Sequence, residues 1–311
     1  MKKILLTLAL ASATALAFAE PLKIRFWSGF PAGGATDQQI RILQKCITET
    51  SANTIVTVEY RPGAAGVVGF KQFVAHQPTD YVELLMDGSN QLISAYITKT
   101  NNLDPTEHVK IIAAVGYIQE VIMASRASSI ASIADLKRKK SIVYGSAGVG
   151  SVSHITTAYL ENYISNEFVH VPYKSPPQAV PDLINGRIDL LADYVSSGIT
   201  QVRAGTVVPI AVTGSKRTPL IPTVKTLQEQ GVKDFPIDPW YAVFSHLNND
   251  PVKTLQASQL IDACLQNPRI QQEYADRGVI VPIDQSPRTW YRAQVERYQR
   301  IAQHPKFKSL Q

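Results

Sequence analysis

Two short stretches of this chain carry residue types and spacings that could do chemistry. The first runs Gly29-Phe30-Pro31-Ala32-Gly33-Gly34-Ala35-Thr36-Asp37. Its glycines allow a tight turn, and Thr36 or Asp37 is placed to cap a following helix. A helix start leaves amide N–H groups unpaired at the positive end of the dipole, a ready site for a carboxylate. The same residues also suit an ordinary strand-to-helix turn, and the stretch alone does not separate the two. The second runs Tyr144-Gly145-Ser146-Ala147-Gly148-Val149-Gly150-Ser151-Val152-Ser153-His154. Gly145 and Gly150 imitate a phosphate loop, but Ser151 stands where that loop needs lysine. Gly148 and Gly150, with Ser153 in the third place, form an incomplete dinucleotide fingerprint. What survives is a set of backbone donors and serine hydroxyls aimed at an anion. Two such loops in separate lobes suit a clamp on a solute with two anionic ends.

Enzyme chemistry finds less support. A hydrolase built on Ser146 or Ser151 with His154 lacks the glycine two places before the serine, where Tyr144 and Val149 stand. The six histidines (His76, His108, His154, His170, His246 and His304) form no HExxH pattern and no cluster with cysteine, so zinc catalysis lacks its ligand spacing. No metal or organic cofactor is implied.

The elements that must position these loops alternate. Leu22 to Ser28 reads as a strand, Asp37 to Thr50 as a helix with Ile40, Leu43 and Ile47 on one face, and Ile55 to Tyr60 as a strand. A turn at Arg61-Pro62-Gly63-Ala64-Ala65-Gly66 leads to a helix over Val68 to His76 and a strand over Tyr81 to Met86. This βαβαβ order predicts a parallel sheet with its ligands beyond the carboxyl ends of the strands. A second series starts near Tyr117, with strands at Glu120 to Ala124, Ser141 to Tyr144, Phe168 to Val171, Ile188 to Ala192 and Val208 to Thr213. Helices are expected after Ser132 and over Ser153 to Ile164, Ala179 to Asn185 and Ser197 to Ala204. The tail reads as helices over Pro251 to Gln266, Pro268 to Gly278 and Pro287 to Gln303. The expectation is an α/β protein of two lobes with a helical tail.

Composition narrows the setting. Lys2 and Lys3 precede an apolar run from Ile4 to Phe18, and Ala17-Phe18-Ala19 gives the small-x-small pattern of signal-peptidase cleavage after Ala19. The run is shorter than the ~20 residues that a membrane span requires. With 311 residues, 45% of them hydrophobic, the chain can build one large or two medium domains. Without Lys2 and Lys3, 29 basic residues face 25 acidic ones, a net charge of +4 that favours anionic solutes. The dense run Lys137-Arg138-Lys139-Lys140 suits a solvated helix end, and no basic face interleaved with aromatics points to nucleic acid. Cys46 and Cys264 can close one disulfide in an oxidising compartment, but their apolar, helix-like contexts equally suit two buried free thiols.

Over essentially the whole mature chain the sequence resembles the TctC/Bug family of periplasmic receptors for tripartite tricarboxylate transporters. The resemblance rests on the two loops and on the Arg61 to Gly66 turn. It rests also on His170-Val171-Pro172-Tyr173-Lys174, Ile188-Asp189-Leu190, Ala211-Val212-Thr213, Lys216-Arg217 and Trp240-Tyr241, in that order. It implies a two-lobed periplasmic binding protein (Venus flytrap) fold, each lobe a mainly parallel sheet flanked by helices. Lobe one is expected over residues 20–120 and 241–311 and lobe two over 121–240, with crossings near Tyr117 to Val121 and Asp238 to Ala242 and a tail returning to lobe one. It also implies a monomer that delivers a small mono- or dicarboxylate to the membrane subunits of a tripartite tricarboxylate-type transporter. By this resemblance Phe30, Pro31, Ala32, Gly33, Gly34, Ala35 and Thr36 hold a carboxylate, with Asp37 capping. Ser89 and Asn90 flank it, and Ser146, Ala147, Gly148, Ser151 and His154 face it from lobe two, beside Tyr173, Lys174 and Asp193. Asp193 sits oddly beside an anion and suits orienting water, binding an amine or hydroxyl, or capping a helix. The chain departs from the family pattern at Ser175, where glycine is usual, and at Tyr60, where asparagine is common. It departs again at Trp27-Ser28-Gly29 and over Phe244 to Asn248. Alternatives are a receptor for a two-component sensor, a periplasmic hydrolase on the same scaffold, and a pocket for an aromatic acid beside Trp27 or Trp240.

Overall fold

The computed structural model describes residues 20–308 except 162, 165, 234, 236, 283, 284 and 304. The expected leader and its cleavage point therefore lie outside the described residues. Strand β1 (Leu22–Ser28) buries Ile24 and Phe26 completely, and these meet Ile40, Leu43 and Ile47 of helix α1 (Ala35–Thr50). The helical spacing of those three residues is what gives α1 a face to bury. Strand β2 (Thr54–Tyr60), helix α2 (Val67–Ala75) and strand β3 (Val82–Gly88) follow, with β2 and β3 on either side of β1 and parallel to it.

Strand β4 (Val109–Ile118) was not anticipated from the pattern. Its sequence VKIIAAVGYI is a nearly continuous apolar run because both faces are covered, so the alternation that marks a half-exposed strand is missing. A single residue, Gln119, separates it from β5 (Glu120–Ser125), which belongs to the other sheet. That second sheet adds β6 (Ser141–Ser146), β7 (Glu167–Pro172), β8 (Leu190–Tyr194) and β9 (Val207–Val212), in the order β7-β6-β8-β5-β9. Helices α3 (Val152–Glu161), α4 (Pro176–Ile184) and α5 (Val195–Arg203) cover it.

The chain returns in β10 (Trp240–His246), wholly buried and antiparallel between β3 and β4. With the short β11 (Val279–Ile280), the first sheet has the order β11-β4-β10-β3-β1-β2. Each lobe is thus a mixed sheet. The pairs formed by βαβ crossovers are parallel, while the strands that carry the chain between lobes (β4, β5 and β10) pair antiparallel to their neighbours.

The tail helices α6 (Pro251–Gln266), α7 (Pro268–Ala275) and α8 (Pro287–Ala302) each begin with proline behind a capping side chain (Asp250, Asn267 and Ser286). Helix α6 packs on α1, and Cys46 and Cys264 close a disulfide between the two with their Cα atoms 6.0 Å apart. Of the two readings open from the sequence, the structure takes the bridge. Trp290 of α8 meets Trp240 edge-on at 5.0 Å, and beyond α8 the Phe307 ring stacks on Tyr159 of α3 at 5.5 Å, so the tail touches both lobes.

The bridge closes a loop of 218 residues, worth about 5 kcal/mol in the chain-entropy model. Alkylation of the native protein should find no free thiol, and two after reduction. Reduction should lower the melting temperature by roughly 5–10 °C, judged from the shift expected per kcal/mol in a chain of this size.

Candidate ligand site between the lobes

The first loop is held from behind. Ser28 Oγ accepts from the Phe30 amide (3.1 Å), fixing the exit from β1. The N-cap of α1 is Gly34, with no side-chain cap, so neither Thr36 nor Asp37 caps the helix as expected. Asp37 sits inside the first turn, where its Oδ2 accepts from the Gly33 amide (2.9 Å) and its Oδ1 from Arg41 Nε (3.1 Å) and the Tyr60 hydroxyl (2.5 Å). Burial and this carboxylate push Tyr60 up to about 12, so Tyr60 remains a donor. Asp37 thereby anchors the outer loop, and the leading amides of α1 at Ala35 and Thr36 lie at the cavity wall with no carbonyl of their own helix to bond.

The second loop consumes most of its own polar groups. The Ala147 amide donates to Ser153 Oγ (3.0 Å), Gly148 to Ser146 Oγ (3.0 Å) and Gly150 to His154 Nδ1 (3.3 Å). Ser151 Oγ donates to the Gly148 carbonyl at 2.8 Å. A bond also crosses the cleft: the Val152 amide, at the start of α3, donates to Asn90 Oδ1 at 2.9 Å. Gly148 and Gly150 have φ of +102° and +83°, which L residues rarely adopt, and both abut lobe one. A Cβ on Gly150 would sit 2.7 Å from Thr98 Oγ1, and one on Gly148 would sit 3.3 Å from the Ala65 nitrogen.

Between these loops lies a cavity of about 30 Å³, room for a water or so and well below the volume of an open ligand pocket. Of the candidate residues, Phe30, Gly34, Ala35, Thr36, Asn90, Ala147, Ser151 and Asp193 line it. Pro31 is half-buried, and Ala32 and Gly33 are exposed at the outer rim. Ser89 is spent on the Trp240 amide (2.9 Å), and Ser146 on His170 Nε2 (2.6 Å). His154 packs beside His170 at 4.3 Å, away from the lining, and burial pulls both imidazoles down to about 4, so they are neutral near pH 7. The Tyr173 hydroxyl turns to Asp182 (2.7 Å), and Lys174 is exposed. Trp27 donates to Glu83 (2.6 Å), and Trp240 packs on Trp290, so neither lines the cavity.

The sequence reading missed Glu120, Val152, Ser153, Ser175, Pro176 and Tyr194, which complete the wall. Ser175 had been visible only as a departure from the family pattern. Glu120 gave no local signal, because it reads as the first residue of an ordinary strand. Two lining residues are acids: burial raises Glu120 to about 8, with Asp193 adding to the rise, and burial raises Asp193 to about 7. Asp193 Oδ1 accepts from the Tyr194 amide (2.8 Å) and Oδ2 from Ser197 (2.5 Å), so this carboxyl braces the start of α5. No lysine, arginine or histidine is among the lining residues.

A model of the tripartite tricarboxylate transporter family receptor matches residues 39–305. A UPF0065 protein of Agrobacterium vitis, from the TAR-I ttuE-ttuC' intergenic region, is 27% identical over 281 residues, covering 87% of this chain and 80% of that protein. BugT of Bordetella pertussis is 25% identical over 265 residues, covering 83% and 80%. Among solved structures, the periplasmic binding protein BugD aligns with a TM-score of 0.80 at 24% identity, covering 92% of this chain and 96% of its own. MatC of Rhodopseudomonas palustris, solved with bound malate, aligns with a TM-score of 0.81 at 17% identity, covering 91% and 100%. These likenesses show the two-lobed fold.

Two outcomes follow from the geometry. Gly150→Ala should leave the fold intact but hold the lobes apart, raising the small-angle scattering radius and weakening ligand binding about tenfold, the scale of the backbone strain it introduces. For the acids, folded values above the unfolded ones mean stability that is full at low pH and lost as pH rises through about 7 and 8. The ligand-free melting temperature should therefore fall between pH 6.5 and 8.5, a window in which the two histidines stay neutral, and Glu120→Gln should flatten that fall.

Proposed function

The chain belongs to the tripartite tricarboxylate transporter receptor family, and on that premise we propose that it is a periplasmic receptor for a small organic carboxylate. It hands this acid to the membrane subunits of a tripartite tricarboxylate-type transporter and performs no covalent chemistry. The observation that carries the reading is that two helix starts, those of α1 and α3, meet one cavity from opposite lobes. The acid docks on the unspent amides at Ala35 and Thr36, where charge-assisted hydrogen bonds are about twice as strong as neutral ones. The α1 dipole adds about 0.3–1 kcal/mol for an anion, and more where the end is desolvated.

The lobes, residues 20–120 with 241–311 against 121–240, close about the crossings beside Gln119 and before Trp240. Closure forms the Val152 to Asn90 bond, seats Ala147 and Ser151 over the ligand and excludes water. Both walls come from one chain, so the receptor works as a monomer.

A thermal-shift screen of small carboxylates tests this directly. A ligand at a hundred times its dissociation constant stabilises by about 2.7 kcal/mol. A Cβ at Gly34 meets only the Pro31 carbonyl, at an ordinary 3.5 Å, and the backbone there is extended at φ −77°. Gly34→Leu should therefore fold normally, fill the cavity wall and abolish the shift. A shift that survives this substitution, with unchanged affinity, would remove the α1 start from the site.

A further inference from the structure

We propose that Glu120 selects the ligand, its free carboxylate oxygen receiving the amine of an amino-substituted carboxylic acid whose own carboxylate docks at the start of α1. This rests on the carboxylate reading above and narrows it to a zwitterion. Glu120 is 1% exposed and lines the cavity. The Thr156 hydroxyl donates to Oε2, and among the described residues nothing donates to Oε1. Oε1 is thus left for a donor that enters the cavity.

Charge decides which donor. The titratable groups whose fields act with that of Glu120 are Asp193, Tyr194, Tyr241 and Tyr298, and none of them is a cation. A plain dicarboxylate would bring its second negative group against two buried acids with no positive side chain in the lining. A plain monocarboxylate would leave Oε1 unmet. An ammonium supplies both hydrogen and charge, and it favours the ionised form of Glu120. Asp193, with both oxygens already bonded to α5, adds negative potential without competing for the contact.

The test is isothermal titration of the whole protein with three matched pairs: aspartate and succinate, glutamate and glutarate, γ-aminobutyrate and butyrate. At least one amino member should bind tenfold or more tighter than its partner. Because burial holds Glu120 near about 8 when the cavity is empty, amine binding should release protons at pH 7, read as a heat that varies with the buffer's ionisation enthalpy. Affinity should rise from pH 6 to 8. Glu120→Gln should cost the amino member at least tenfold and close the gap between it and its partner. If that variant misfolds, the pairs and the proton count on the unaltered protein decide. Tighter binding of the deaminated members with proton uptake would make Glu120 a neutral donor to a second carboxylate and overturn the proposal. Equal binding within every pair, or an amine-free binder from the wider screen when all three amino members fail, would overturn it while sparing the carboxylate reading. Failure of every carboxylate, with Gly34→Leu silent, would remove both.

Discussion

A helix cannot satisfy its own first amides, and a buried helix start must find acceptors elsewhere. Two such starts meet in this molecule, and their accounts differ. Around the start of α3 the protein supplies its own acceptors: Ser153, Ser146 and His154 serve the preceding loop, and Asn90 reaches across from the other lobe. At the start of α1 the nearby carboxylate, Asp37, faces outward to Gly33, Arg41 and Tyr60, and the amides at Ala35 and Thr36 remain unserved. The two glycine-bearing loops are therefore not equivalent halves of a clamp. One leaves helix amides open to the cavity, and the other bonds most of its own polar groups and shapes the far wall.

That asymmetry explains why the second loop can pack so closely. Gly148 and Gly150 bring backbone within contact of Ala65 and Thr98 because no side chain intervenes. The serines behind them spend their bonds holding the loop, and the neutral His154–His170 pair stacks with Tyr144 behind it at 4.3 to 6.3 Å. The Val152 to Asn90 bond spans the gap, while the hydroxyls of Ser146 and Ser151 bond within their own loop.

The local chemistry of the chain was legible in its sequence, and the long-range chemistry was not. The periodicity of Ile40, Leu43 and Ile47 announced α1, and the glycine-bearing loops announced where ligands approach. The family resemblance placed the two lobes. Strands β4 and β10 stayed hidden as strands because full burial erases alternation. The N-cap of α1 was misread because Asp37, one turn too far along, answers to Tyr60 and Arg41, a pairing fixed only when β2 lies beside α1. Ser89 and Ser146 have site-like chemistry, yet their hydroxyls meet partners 151 and 24 residues away, while Tyr173 and His154 bond 9 and 4 residues along the chain. Glu120 was missed for the opposite reason: a strand residue becomes a pocket residue only because the chain changes lobes at Gln119.

The position of Glu120 ties selection to motion. It is the first residue of β5, its amide accepted by Thr213 Oγ1 and its carbonyl bonded to the Thr213 amide, both at 3.0 Å, while the Gln119 carbonyl takes the Val195 amide at 2.9 Å. These bonds fix the carboxyl to lobe two within one residue of the crossing, where rotation about Gln119 displaces it least. Were the lobes to turn about that crossing, a group there would move little. The chain as a whole carries the opposite sign, a formal net charge of +6, or +4 without Lys2 and Lys3. A diffuse positive field draws any organic anion toward the cleft, since such fields act at long range with little discrimination. The buried acids act only after water has left, where the same charges interact far more strongly. Attraction and discrimination thus fall to different charges at different distances, and a solute must satisfy both.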